Sequence, residues 1–124
     1  MPHSLRIDPD SGIAIGTCSG TLRLEDAKAG AAAVWSSPEW NGHAVVWDMR
    51  EARLDVSTAD LRESARFVLE RQPAKPPPKV AFVTGTELDF GLARMFEAFR
   101  EDPATEVRVF RDLDEALAWA RSAE

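Results

Sequence analysis

"KVAFVTGTELDFGLARMFEAF", residues 79–99, decides the fold. The apolar run "KVAFVTG" (79–85) reads as a strand covered on both faces. Beyond it Leu88, Leu92, Met95, Phe96 and Phe99 recur at the i, i+4, i+7, i+8, i+11 spacing of one helical stripe. The same unit stands upstream, where "HAVVWDM" (43–49) precedes Leu61, Ala65, Val68 and Leu69 at helical spacing over 58–72. It stands downstream as well, where "EVRVF" (106–110) leads into "DLDEALAWA" (112–120), whose Asp112 and Glu115 have capping-box spacing. Strands that alternate with helices in this way require right-handed crossovers over a largely parallel sheet.

The N-terminal third reads differently. "SLRID" (4–8) and "GIAIGTC" (12–18) alternate with period two around the turn-forming "PDSG" (9–12), which predicts an antiparallel pair at one edge. "TLRL" (21–24) has the look of a further short extended piece. Ala27, Ala31, Val34 and Trp35 then predict a helix over 25–36, which Gly30 weakens by about 1 kcal/mol relative to alanine. "SSPEWNGH" (36–43) punctuates the chain, and "QPAKPPPK" (72–79) is a stiff surface loop, because its prolines remove donors and favour an extended path. The expectation is one α/β sandwich over 1–124, its mixed and mostly parallel sheet flanked by about four helices.

Composition narrows the chemistry. With 44% hydrophobic and 29% charged residues, 124 residues suffice for one soluble domain with a real core. The net charge of -6 opposes phosphate contacts, so nucleic acid is not expected as a partner. No apolar run suits a membrane span and "MPHSLRIDPDSG" lacks the pattern of a secretory signal, so a cytoplasmic protein that is not membrane-embedded is the expectation. The single cysteine, Cys18, agrees with a reducing compartment, and two histidines without ligand spacing predict neither a structural zinc site nor another cofactor.

Four stretches, "GTLRLEDA" (20–27), "VVWDMR" (45–50), "KVAFVTGTELDFGLARMFEAF" (79–99) and "EVRVFRDLDEALAWARS" (106–122), resemble in order the bacterial proteins similar to stage II sporulation protein AA. That family is a branch of the STAS fold, related to CRAL-TRIO lipid-binding domains. The resemblance covers nearly the whole chain and implies a small non-enzymatic regulatory module that binds a protein partner, here expected through the loop and helix start at 50–64. Its alternative implication is a domain that holds a small apolar molecule or lipid in a cleft. In the better-known relatives a serine in an Asp-Ser-Ser-Gly step, at the start of a helix, is phosphorylated by the partner kinase. The corresponding "DVSTADL" (55–61) keeps Asp55 and Ser57 but has Val56 after the aspartate, and lacks both the paired serine and the glycine.

Each candidate site has a plainer structural reading beside it. Ser57 or Thr58 would place a phosphate at a helix N-terminus, yet Ser57 with Asp60 has the spacing of a capping box, and the cap is the stronger reading. Asp48, Arg50, Glu51, Arg53 and Asp55 cluster after a central strand, where ligands of open α/β sheets gather, or are solvated charges of a connecting loop. Thr84 and Thr86 in "TGTELDFG" (84–91) could present backbone N–H groups to an anion, or Thr86 simply caps a helix. Cys18 would need His3 or His43 as a base to act as a nucleophile, and otherwise packs in a strand. Trp35, Trp40, Trp47 and Trp119 fit a core or an apolar pocket, with Trp40 expected to be the most exposed. No base, nucleophile and orienting group can be named together, so an enzyme is not expected, and homodimerisation through a helix face or sheet edge stays open.

Overall fold

The computed structural model describes residues 3–100 and 104–122, with residue 3 described for its backbone alone. The chain runs β1 (His3–Ile7), β2 (Ala14–Leu22), α1 (Leu24–Trp35), β3 (Ala44–Leu54), α2 (Thr58–Arg71), β4 (Lys79–Thr84), α3 (Glu87–Phe99), β5 (Glu106–Phe110) and α4 (Leu113–Arg121). The strands lie in sequence order, β1-β2-β3-β4-β5, within one sheet. β1 pairs antiparallel with β2 at the edge, and every other neighbouring pair is parallel. This is the expected α/β sandwich.

The period-two alternation of the strands sorts their side chains onto two faces. One face carries Ile13, Ile15, Ala44, Val46, Ala81 and Val83 and packs against Ala116 and Ala120 of α4. The other carries Ala14, Val45, Val80 and Val107 and meets Val34 of α1. Leu61 and Ala65 of α2 and Phe96 of α3 extend that second layer. Three helices therefore share one face, and α4 alone covers the other.

Three expectations need correction. "TLRL" is not a separate strand: Thr21 and Leu22 continue β2, and Arg23 is the N-cap residue of α1. The central strand does not stop at Met49 but reaches Leu54, because β2 extends alongside it and supplies hydrogen-bond partners as far as Leu22. Arg50, Glu51 and Arg53 are consequently strand residues rather than loop, whereas Asp48 and Thr84 lie in strands as read, Thr84 as the last residue of β4. Between Thr17 and Ser19 the register shifts, so that Met49 and Arg50 together stand against Cys18. Such a bulge reverses the alternation. It keeps Met49 and Ala52 both on the three-helix face with Cys18 and Leu22.

The helical stripes also prove rotated from the expected ones. On α3 the buried residues are Asp89, Ala93 and Phe96, whereas Leu88 is 72% and Met95 36% exposed. On α2 Leu61, Ser64 and Ala65 are buried and Leu69 is 54% exposed. Trp40, expected at the surface, is half-buried and donates its indole N–H to the Ala44 carbonyl at 3.0 Å.

Candidate functional site

The start of α2 is built as a reciprocal cap. Ser57 Oγ accepts from the Asp60 backbone N–H at 3.0 Å, and Asp60 Oδ2 accepts from the Ser57 N–H at 3.0 Å. Each bond satisfies a donor that a helix end leaves orphaned. Ser57 and Thr58 are both exposed. Asp55 stands just before them and pairs at 3.4 Å with Arg23, whose own N–H donates to Asp26 at the start of α1. The polar groups around Ser57 are thus engaged with one another.

Asp48 and Arg50 point to the α4 side, two residues apart on β3. Arg50 donates twice to the carboxylate, Nε to Oδ1 and Nη2 to Oδ2, each at 2.9 Å, and its backbone N–H donates to Oδ1 at 3.2 Å. The Arg50 guanidinium holds the Asp48 carboxyl below its ordinary value, against the opposing push of burial. Fork-to-fork pairing of this kind leaves little of either group for a ligand.

At the end of β4, Gly85 lies so close to β3 that a Cβ would fall 2.4 Å from the Arg50 carbonyl oxygen, which only glycine avoids. Thr86 then caps α3 by accepting from the Asp89 N–H at 3.1 Å. Asp89, an acid of the first turn of α3, is only 3% exposed, and its Oδ1 accepts from the Leu54 N–H at 3.4 Å, tying the end of β3 to α3. Glu87 does face solvent, and the Arg111 guanidinium lowers its pKa.

Between the three helices and the sheet lies a cleft of about 150 Å³. Its floor includes Val45, Trp47, Met49 and Phe82, and its walls include Ala31 of α1 and Val68 of α2. Trp35 and Trp47 line it, whereas Trp40 and Trp119 do not. The Trp47 ring packs directly on two glycines: a Cβ on Gly16 would lie 2.2 Å from its Cε3, and one on Gly30 3.1 Å from its Cη2. Cys18 also lines the cleft, and burial raises its thiol to about 11, so it is held as the neutral thiol at physiological pH. The strand register sets Cys18 opposite His3, whose side chain lies outside the described residues.

Ser64 is the lining residue that sequence reasoning missed. It is 9% exposed and shares the inward stripe of α2 with Leu61, Ala65 and Val68. A serine at an apolar helical position was the available signal.

The topology, one antiparallel edge strand followed by four parallel strands with three helices on one face and one on the other, has counterparts among solved structures. A protein of the DUF3478 family from Shewanella loihica PV-4, described as having a SpoIIAA-like fold, superposes with a TM-score of 0.61 at 20% identity, over 95% of this chain and 91% of that one. The fold is SpoIIAA-like. An anti-sigma factor antagonist from Mycobacterium paratuberculosis superposes with a TM-score of 0.51 at 16% identity, over 97% of this chain and 95% of that one. No family model and no curated protein sequence matches the chain. Among the described residues no helix is long and apolar enough to cross a membrane.

Proposed function

We propose that this SpoIIAA-like chain is a non-enzymatic regulatory module that binds a protein partner through the outer faces of α2 and α3. One observation carries the reading: the large apolar side chains left exposed among the described residues, Leu69, Leu88 and Met95, all belong to these two helices. Exposed apolar side chains on two helices of the same sheet face are where a partner helix or loop could be received. The fold shared with an anti-sigma factor antagonist supports the same assignment. Ser57 and Thr58 stand at the edge of that face. A phosphate on Ser57 would meet the Asp60 carboxylate and open the capping box, so modification would weaken the surface rather than build it. Asp48, Arg50, Asp55, Thr84 and Thr86 frame the same end of the sheet and hold its shape.

The test is affinity isolation of the full chain from its own cells beside a Leu88→Ser, Met95→Ser double variant. The partner recovered with the parent chain should fall at least about ten-fold with the variant. Equal recovery would remove α3 from the partner surface.

A second reading, the binding of a small apolar molecule, has its own support in the cleft lined by Val45, Trp47, Val68 and Phe82. A protein isolated from its own cells should then carry extra mass under native conditions that is lost on denaturation, and a bare native mass would count against it.

A further inference from the structure

We propose that the cleft binds a slender, neutral molecule, apolar over most of its length, whose one polar group is an oxygen that accepts a hydrogen bond from the Ser64 hydroxyl. The proposal rests on the small-molecule reading above and specifies the class of ligand.

Shape comes first. Leu61, Ser64 and Val68 of α2, and Gln72 just beyond its end, all line the cleft and span about 17 Å at about 1.5 Å per residue. A volume of about 150 Å³ drawn out over that length is narrow. The Trp47 ring, wedged against Gly16 and Gly30, leaves no side pocket at that point of the floor. An unbranched chain fits such a space better than a ring system.

Charge comes second. The cleft borders Arg23, Asp26 and Asp60, but each is already committed: Arg23 to Asp55, Asp26 to the Arg23 N–H, and Asp60 to the Ser57 N–H. Gln72 and Arg100 at the opposite end have interactions of their own. Two arginines and two aspartates among the lining residues balance in charge, so the cleft has no excess of one sign to draw a charged head group, and the rest of its lining is mainly apolar.

The decisive group is Ser64. Ser64 lines the cleft from the middle of α2, is 9% exposed, and shows no side-chain hydrogen bond among the described residues. In an otherwise apolar cleft that hydroxyl can donate a hydrogen bond to a ligand oxygen, a contact that a hydrocarbon cannot make. Trp47 lines the same cleft, and its indole N–H can only donate. The indole requires an acceptor and the Ser64 hydroxyl can donate to one, so a ketone or ether oxygen suits both groups where a second donor suits the hydroxyl alone.

The experiment is a titration of the isotopically labelled full chain with methyl pentyl ketone and, separately, heptane, followed by NMR, for the parent and for Ser64→Ala. Alanine suits a helix interior, so the variant should keep the fold. Both compounds should shift amides of Ser64 and Val68 in the parent, and Ser64→Ala should weaken the ketone about five-fold while leaving heptane unchanged or tighter. If both compounds bind and the variant weakens neither, or weakens both alike, the assignment of Ser64 is overturned while the cleft remains a binding site. If neither compound binds the parent, the small-molecule reading falls, and this proposal with it.

Discussion

The two faces of the sheet are built to different standards of packing. Under α4, Ile13, Val46 and Val83 are at most 1% exposed and meet Ala116 and Ala120, both fully buried, so small helix residues let the backbone settle directly on branched strand residues. Under α1, α2 and α3 the side chains are larger, and they leave the cleft between Trp47 and Val68. Lys79 reinforces the closed side: it is 3% exposed, and its ammonium donates to the Trp119 and Ser122 carbonyls and to the Ser122 hydroxyl at the end of α4. A cation at a helix C-terminus opposes the negative end of the dipole. One face thus holds the fold, and the other keeps the space and the exposed apolar groups that a partner or ligand can use.

The largest expected effect should fall on the closed face. Ile13→Ala should cost about 3–4 kcal/mol in denaturant unfolding, and Met49→Ala, beside the cleft, only about 2 kcal/mol, because neighbours of an existing space lose fewer packed contacts. Equal costs would mean that the faces are equally tight. Adding volume should separate them in the opposite sense. Ala116→Leu should destabilise by about 2 kcal/mol through overpacking, whereas Val68→Leu, growing into the cleft, should stay within about 1 kcal/mol of the parent.

The loop ends give smaller effects. Ser57→Ala should cost about 1 kcal/mol by removing an N-cap acceptor, with the α2 amides losing hydrogen-exchange protection before those of α3. The smallest effect is acid sensitivity. Asp48 has its folded pKa lowered by Arg50 from the ordinary 3.8, so its stabilisation is complete above that unfolded value and is lost as pH falls through the folded one. Asp48→Asn should therefore flatten the acid limb of stability below about pH 4 and leave its slope near neutrality unchanged.

Much of this fold was legible in the chain because strand runs and helical spacings are local signals. "KVAFVTG" and "HAVVWDM" have the continuous apolar character of doubly covered strands, and the turn at "PDSG" sets an antiparallel edge. The Ser57 and Thr86 caps were likewise readable, since a cap is a relation between residues three apart. What was not legible depends on contacts across the sequence. The length of β3 follows from the reach of β2, and the bulge at Cys18 that puts Ala52 back on the three-helix face has no local signature. The rotation of α3 buries Ala93 and Phe96 with Asp89, which accepts from the Leu54 N–H, and leaves Leu88 exposed. The cleft is hardest of all to foresee, because a shortage of volume between Trp47 and Val68 is a property of four elements together.

Xenon tests the asymmetry most directly, since it enters apolar spaces without needing hydrogen bonds. In crystals of the protein held under xenon pressure, the account predicts density between α2 and the sheet, close to Trp47 and Val68, and none in the layer between α4 and the sheet. Xenon under α4, or no xenon beside Trp47, would contradict it.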